Sequence, residues 1–179
     1  MRQQKVESRS GQAAAMIFAA NDRINQMMIE ELDPAVWNAR PAGGVRSIAA
    51  IFTHIHNVRT KWIRLNARHL KVPAQLNRMN CTPEQVRAGL ALSAAGCSEM
   101  LAEALDGEGL IKKFLRDGFA RPWPVGPEML SYMVAHEAHH RGQVCMIAHQ
   151  LGYRLPNKVT SGMWNWEKLW KDGGSRLQA

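Results

Sequence analysis

His136 and His140 lie four residues apart in the run His136-Glu137-Ala138-His139-His140. On an α-helix that spacing stacks two side chains on one face, as two ligands of a single metal ion require. The same face continues through Met129 and Met133 before the pair and through Val144, Ile147 and Leu151 after it. The pair therefore points into an apolar interior, where an unpaired polar group costs roughly 1–3 kcal/mol. A bound ion would remove part of that cost. A third ligand must come from a helix packed alongside, and His54 is the candidate, with Ile51 three before it and Val58 four after it on one apolar face. His56 lies about 200° further round that helix and is expected to look outward. Three histidines leave a coordination position open, whereas a structural zinc site is usually closed by four protein ligands. Such a centre lowers the pKa of bound water, deprotonates a thiol or polarises a carbonyl. Imidazole suits zinc, nickel, copper and iron alike, so spacing does not choose the ion.

The same five residues also match H-E-x-x-H, the helix signature of zinc peptidases in which the glutamate acts as general base. Glu137 is thus the one candidate catalytic residue. Its alternative role is to support a ligand from behind or to sit on the helix surface, with Arg141 pairing with it or facing solvent. Two features weigh against a peptidase. Gln143 and Met146 stand where the longer peptidase motif needs glycine and histidine, and the nearest downstream carboxylate is Glu167, beyond a helix end and a proline. Peptidases of this type also bind substrate along a sheet edge, and no segment here reads as a sheet. His69, His139 and His149 are expected at the surface or behind the ligands.

The elements that must position these residues are four long helices, expected at about 11–31, 47–70, 82–106 and 127–151. The first stops before Asp33-Pro34. The second follows Pro41-Ala42-Gly43-Gly44, with Ser47 placed to cap it and Ile48, Ile51, Ile55, Val58, Trp62 and Leu65 at helical spacing. The third opens on Thr82-Pro83-Glu84-Gln85, a capping box with proline in the first turn. The fourth opens on Gly126-Pro127-Glu128 and meets Gly152 as a C-terminal cap with Pro156 beyond. Gly142 inside it costs roughly 1 kcal/mol against alanine, and close approach of another helix, in this chain or a second subunit, would be the return. The stretch Gly107–Val125 is loop-like, since Arg121-Pro122-Trp123-Pro124 cannot be regular helix. The tail 152–179 holds Trp164, Trp166 and Trp170 in a short docking helix. The expectation is an all-α four-helix bundle forming one domain over residues 1–179.

Composition fits an ordinary globular chain, with 46% hydrophobic and 21% charged residues. Cys81, Cys97 and Cys145 include no C-x-x-C pair, which speaks for a reducing, cytoplasmic setting. Arg2, Lys5 and Arg9 before Ala13–Ala20 have the outline of a short signal peptide. The apolar spacing nevertheless runs on through Ile17, Ala20, Ile24, Met27 and Leu32, as an amphipathic first helix does. No stretch has the length of a membrane span. The net charge of +8 raises nucleic acid as a partner, and basic residues thicken between Arg40 and Lys71. They lack the aromatic interleaving of a nucleic-acid surface, and a solvated helix face, or attraction of a small anionic substrate, accounts for them better.

His136 through Gln143, followed by the helix exit Gln150-Leu151-Gly152-Tyr153-Arg154-Leu155-Pro156, resembles the fourth helix of the DinB-like family. Arg40 through Ile48, then His54-Ile55 and Trp62, resembles its second helix, and His139-His140-Arg141-Gly142-Gln143 is the most specific element. The resemblance spans nearly the whole chain. It implies a four-helix bundle, often a homodimer, with zinc or nickel on one histidine of the second helix and two of the fourth, here His54, His136 and His140. It further implies a transferase or isomerase using a low-molecular-weight thiol; the open coordination position by itself equally suits a small-molecule hydrolase, and the alternative is a stress-related binding or dimerisation module without catalysis.

Overall fold

The computed structural model describes residues 9–43, 46–106 and 111–177. Arg2 and Lys5 of the signal-like outline, Gly44 and Val45 before the second helix, and Gly107 lie outside these residues. Helix α1 runs Arg9–Glu31, α2 Ile48–Asn66, α3 Pro83–Leu105 and α4 Pro127–Gln150. They are followed by a short α5, Asn157–Thr160, and by α6, Trp166–Leu177. The architecture is all-α. Among the described residues no helix is long and apolar enough to cross a membrane.

The start and stop signals act as local chemistry requires. Ser47 accepts from the Ala50 N–H at the head of α2, and Thr82 with Gln85 forms a reciprocal capping box at α3. At the end of α4, Gly152 takes φ 83°, and the Gly152 and Tyr153 amides donate back to His149 O and Ala148 O. This is a Schellman closure, which a left-handed glycine permits. Helix α2 stops four residues before the expected end. Ala67 leaves helical backbone there, and the Asn66 side chain turns to bond both backbone groups of Leu115.

That partner belongs to the stretch expected as pure loop. It contains a two-residue antiparallel ribbon, β1 Lys113–Phe114 with β2 Trp123–Pro124, too short to carry a periodic signal. Phe114 is fully buried and joins Trp62, Met129 and Met133 in one apolar cluster with Phe18 of α1. A second cluster gathers Ile24 and Met28 of α1, Ile48 to Ile55 of α2, and Val144 and Ile147 of α4. Helix α6 docks on α1, as expected of the tail, but through Leu169 rather than its tryptophans, and Trp164 remains 75% exposed.

His56 corrects the outward placement inferred from helical angle. It is fully buried, with Nε2 2.9 Å from Ala74 O and Nδ1 3.1 Å from Ser93 Oγ. The chain after α2 folds back over this face, and Gly89 of α3 leaves room for the ring: a Cβ there would stand 3.3 Å from it. Helix α2 is thus covered on almost every side, which an apolar stripe alone did not reveal.

Candidate metal centre

His54 projects from α2 toward α4, where His136 and His140 sit one turn apart. One nitrogen from each of the three rings can be chosen so that all lie within 4.8 Å of one another, with no fourth His, Cys, Asp or Glu in the group among the described residues. Ring centroids are 4.6 Å apart for His136 and His140, 4.7 Å for His54 and His140, and 5.5 Å for His54 and His136. Burial, and then the neighbouring histidines, push His54 down to about 3 and His136 to about 4, and burial lowers His140 as well. All three rings are therefore neutral at pH 7, the state in which an imidazole can ligate. His136 Nδ1 is buried with no hydrogen-bond partner. A cluster of neutral nitrogens with one orphan among them fits a divalent cation, because buried polar atoms are otherwise almost always paired.

The walls of the centre come from elements far apart in sequence. Trp62 of α2 meets His136 edge-on at 5.4 Å, and Tyr132, one turn before it on α4, stacks at 6.4 Å. Trp123 of the ribbon packs edge-on against Tyr132, and the Arg116 guanidinium lies 3.5 Å over the Trp123 ring. The ribbon thus braces the wall behind His136. On the other side His54 and His140 open onto a cleft of about 960 Å³. Buried Ile51 and Ile147 form its apolar lining together with the exposed Met146, and Arg46, His139, Gln143 and Gln150 add polar groups. Arg78 also reaches the rim, with its guanidinium 3.2 Å from His54 Nδ1.

Glu137 takes no part in this cleft. It is fully buried on the α1 side of α4, and four donors converge on its carboxylate: Arg59 Nε and NH2 at 2.6 Å each, Asn21 at 2.6 Å and Asn25 at 2.8 Å. Burial pushes this carboxyl up, but Arg59, by charge and hydrogen bonds, outweighs it and holds Glu137 below the usual range, with Arg141 and Asn25 adding to the effect. Arg59 also binds Asp22 at 2.7 Å, and Arg141 reaches Asn21 at 2.8 Å and Asn25 at 3.2 Å. Two acids and two arginines join one buried network among α1, α2 and α4, in which burial outweighs Arg59 at Asp22 and raises that carboxyl above its usual range. A carboxylate so engaged is a poor general base, and the H-E-x-x-H chemistry loses its central residue. Of the two placements open to Arg141, the structure selects the buried one.

The remaining expectations separate in the same way. His69, His139 and His149 are exposed, His69 bonding Glu103 at 2.7 Å. His139 and Gln143 were not singled out by spacing, and only their place at the cleft marks them. A Cβ at Gly142 would meet nothing within 4 Å, so among the described residues no helix approaches it closely. The basic stretch is not one patch: Arg59 is fully buried, Lys61 pairs with Asp117, and Arg46 alone of these lines the cleft.

A helical bundle whose second and fourth helices bring three histidines to one point beside a cleft defines the class. The DinB family model matches residues 8–168, and the chain belongs to the DinB family. Comparison with curated proteins and with solved structures found no match.

Proposed function

We propose that this protein is a metal-dependent enzyme acting on small molecules, with a divalent ion, zinc or nickel, on His54, His136 and His140. The observation that carries the reading is the convergence of three neutral imidazoles, one with an orphaned buried nitrogen, at the edge of an open cleft. When bound, such an ion supplies Lewis acidity, lowering the pKa of a coordinated thiol or water or polarising a carbonyl. The chain's own residues do the rest. Arg46 and Arg78 attract an anionic group at the rim, while Ile51, Met146 and Ile147 offer contact to its apolar part. This suits a thiol-dependent transferase whose thiol carries acidic groups, or a hydrolase of similar substrates. The three cysteines are all free, in keeping with a reducing, cytoplasmic setting. Nucleic acid is a weaker partner, because Arg59 and Lys61 are engaged within the chain.

Elemental analysis of purified protein tests the foundation. Wild type is expected to carry about one equivalent of metal, three histidines and an open position making one site, and a His54→Ala, His136→Ala variant to carry almost none. Equal, low metal in both would end the proposal. A panel of low-molecular-weight thiols with electrophiles then tests the reaction.

A non-catalytic reading, a stress-related binding or dimerisation module with a structural metal, draws on the exposed Trp164, Trp166 and Trp170 and on the open space over Gly142. It expects His140→Ala to lower thermal stability sharply with no turnover on any thiol, and metal-dependent conjugation excludes it.

A further inference from the structure

We propose that Gln143 is a positioning residue that selects which nitrogen of His140 faces the metal, an inference that rests on the metal reading above. Gln143 lies three residues beyond His140 on α4, where the two side chains meet on one helical face. Its Oε1 is 2.8 Å from His140 Nδ1, and its Nε2 is 3.1 Å from His139 Nε2. His139 in turn packs edge-on against His140, with centroids 5.1 Å apart.

A primary amide has one end that accepts and one that donates, so this bridge has two arrangements. In the first, His140 Nδ1–H donates to Gln143 Oε1, and the Gln143 amide N–H donates to His139 Nε2. His140 Nε2 then carries a lone pair and is free to ligate. In the second the amide is turned over. Its N–H donates to His140 Nδ1, the ring proton moves to Nε2, and His139 Nε2 must carry the proton given to Oε1. Both nitrogens of His140 are then committed, and neither can bind an ion. Only the first arrangement is compatible with His140 as a ligand.

In that arrangement His139 Nε2 accepts from the amide on the outside, 3.1 Å away, so Gln143, bridging to His139, braces His140 from behind. His136 has no such partner on Nδ1, and the nitrogen of His54 that faces Arg78 meets a donor rather than an acceptor. Among the described residues, the hydrogen-bond acceptor that orients a ligand ring is therefore Gln143. A free imidazole prefers its proton on Nε2, so loss of Gln143 should turn His140 toward the non-ligating tautomer.

The test uses the full chain as wild type, Gln143→Leu, Gln143→Glu and Gln143→Lys, with histidine labelled in 15N. Long-range proton–nitrogen correlation on metal-free protein at mildly alkaline pH reads the tautomer directly. His140 is expected as Nδ1–H in wild type and Gln143→Glu, and as Nε2–H in Gln143→Leu and Gln143→Lys. Chelator competition with zinc alone then reads affinity. Gln143→Leu is expected to bind roughly 10–100-fold more weakly, the usual cost of losing a hydrogen-bonded support behind a ligand, with Gln143→Glu restoring wild-type binding. Unchanged thermal midpoints confirm that the variants fold. His140 found as Nε2–H in wild type, or wild-type affinity in Gln143→Leu, overturns the role of Gln143 while leaving the metal site standing. Wild type with no zinc affinity overturns both.

Discussion

At the scale of single residues, Glu137 and its histidine neighbours face opposite partners and do opposite things. The glutamate is ionised in a dry network beside Arg59, whereas His54, His136 and His140 are kept neutral. Glu137→Gln leaves Arg59 with one fewer counter-charge in a fully buried place. Breaking a buried pair this way costs about 3–5 kcal/mol, and we expect that loss in urea denaturation. Replacing Arg59 and Glu137 together by Met and Leu should cost less than the sum of the single changes, because neither then strands the other's charge, although Asp22 still loses its Arg59 partner. The histidines set a pH dependence. In the unfolded chain they take up protons below about 6.5, but in the fold His54 and His136 stay neutral down to about 3 and about 4. The unfolded state therefore binds more protons in that window, and stability must fall as pH drops from 6.5 toward 4. Denaturation in the presence of chelator should show this slope, and His54→Asn should flatten it.

At the scale of elements, α4 carries two ligands, the glutamate and the brace on His140, so its register and its end matter most. The end depends on Gly152 at φ 83°. Gly152→Ala forces a Cβ into left-handed backbone and is expected to cost about 1–2 kcal/mol, read as a lower thermal midpoint. Helix α1, which supplies no ligand, has an indirect part. Its Asn21, Asp22 and Asn25 grip Arg59, Glu137 and Arg141, fixing the rotation of α4 that turns His136 and His140 toward α2.

At the scale of the whole molecule, the polar network lies between two apolar clusters, and the histidine cleft lies on the neighbouring face of α4. The bundle has apolar packing at both ends, so it is expected to fold without metal and to gain stability when metal binds. At a hundredfold excess over the dissociation constant the gain is about 2.7 kcal/mol. Added zinc should raise the thermal midpoint of wild type, chelator should reverse the rise, and a His136→Ala variant should show neither.

What was legible in the sequence was local. The capping residues Ser47, Thr82 and Gly152 mark helix ends because their effect reaches only a turn, and His136 with His140 declare one face because four residues make one turn. The apolar stripes follow from the same periodicity. His54 needed a second helix to give it meaning. Three things depended on packing between distant segments. Glu137 lies about 100° from His136 on the helix wheel, an angle that serves a metal-bound water or a partner on α1 equally well, and the asparagines and Asp22 of α1 decide it. His56 is buried because Gly89 and the chain near Ala74 close over it. The cleft with Arg46, His139 and Gln143 exists only where α2 and α4 meet. Spacing determines which side chains share a face, and only tertiary packing decides what that face looks at.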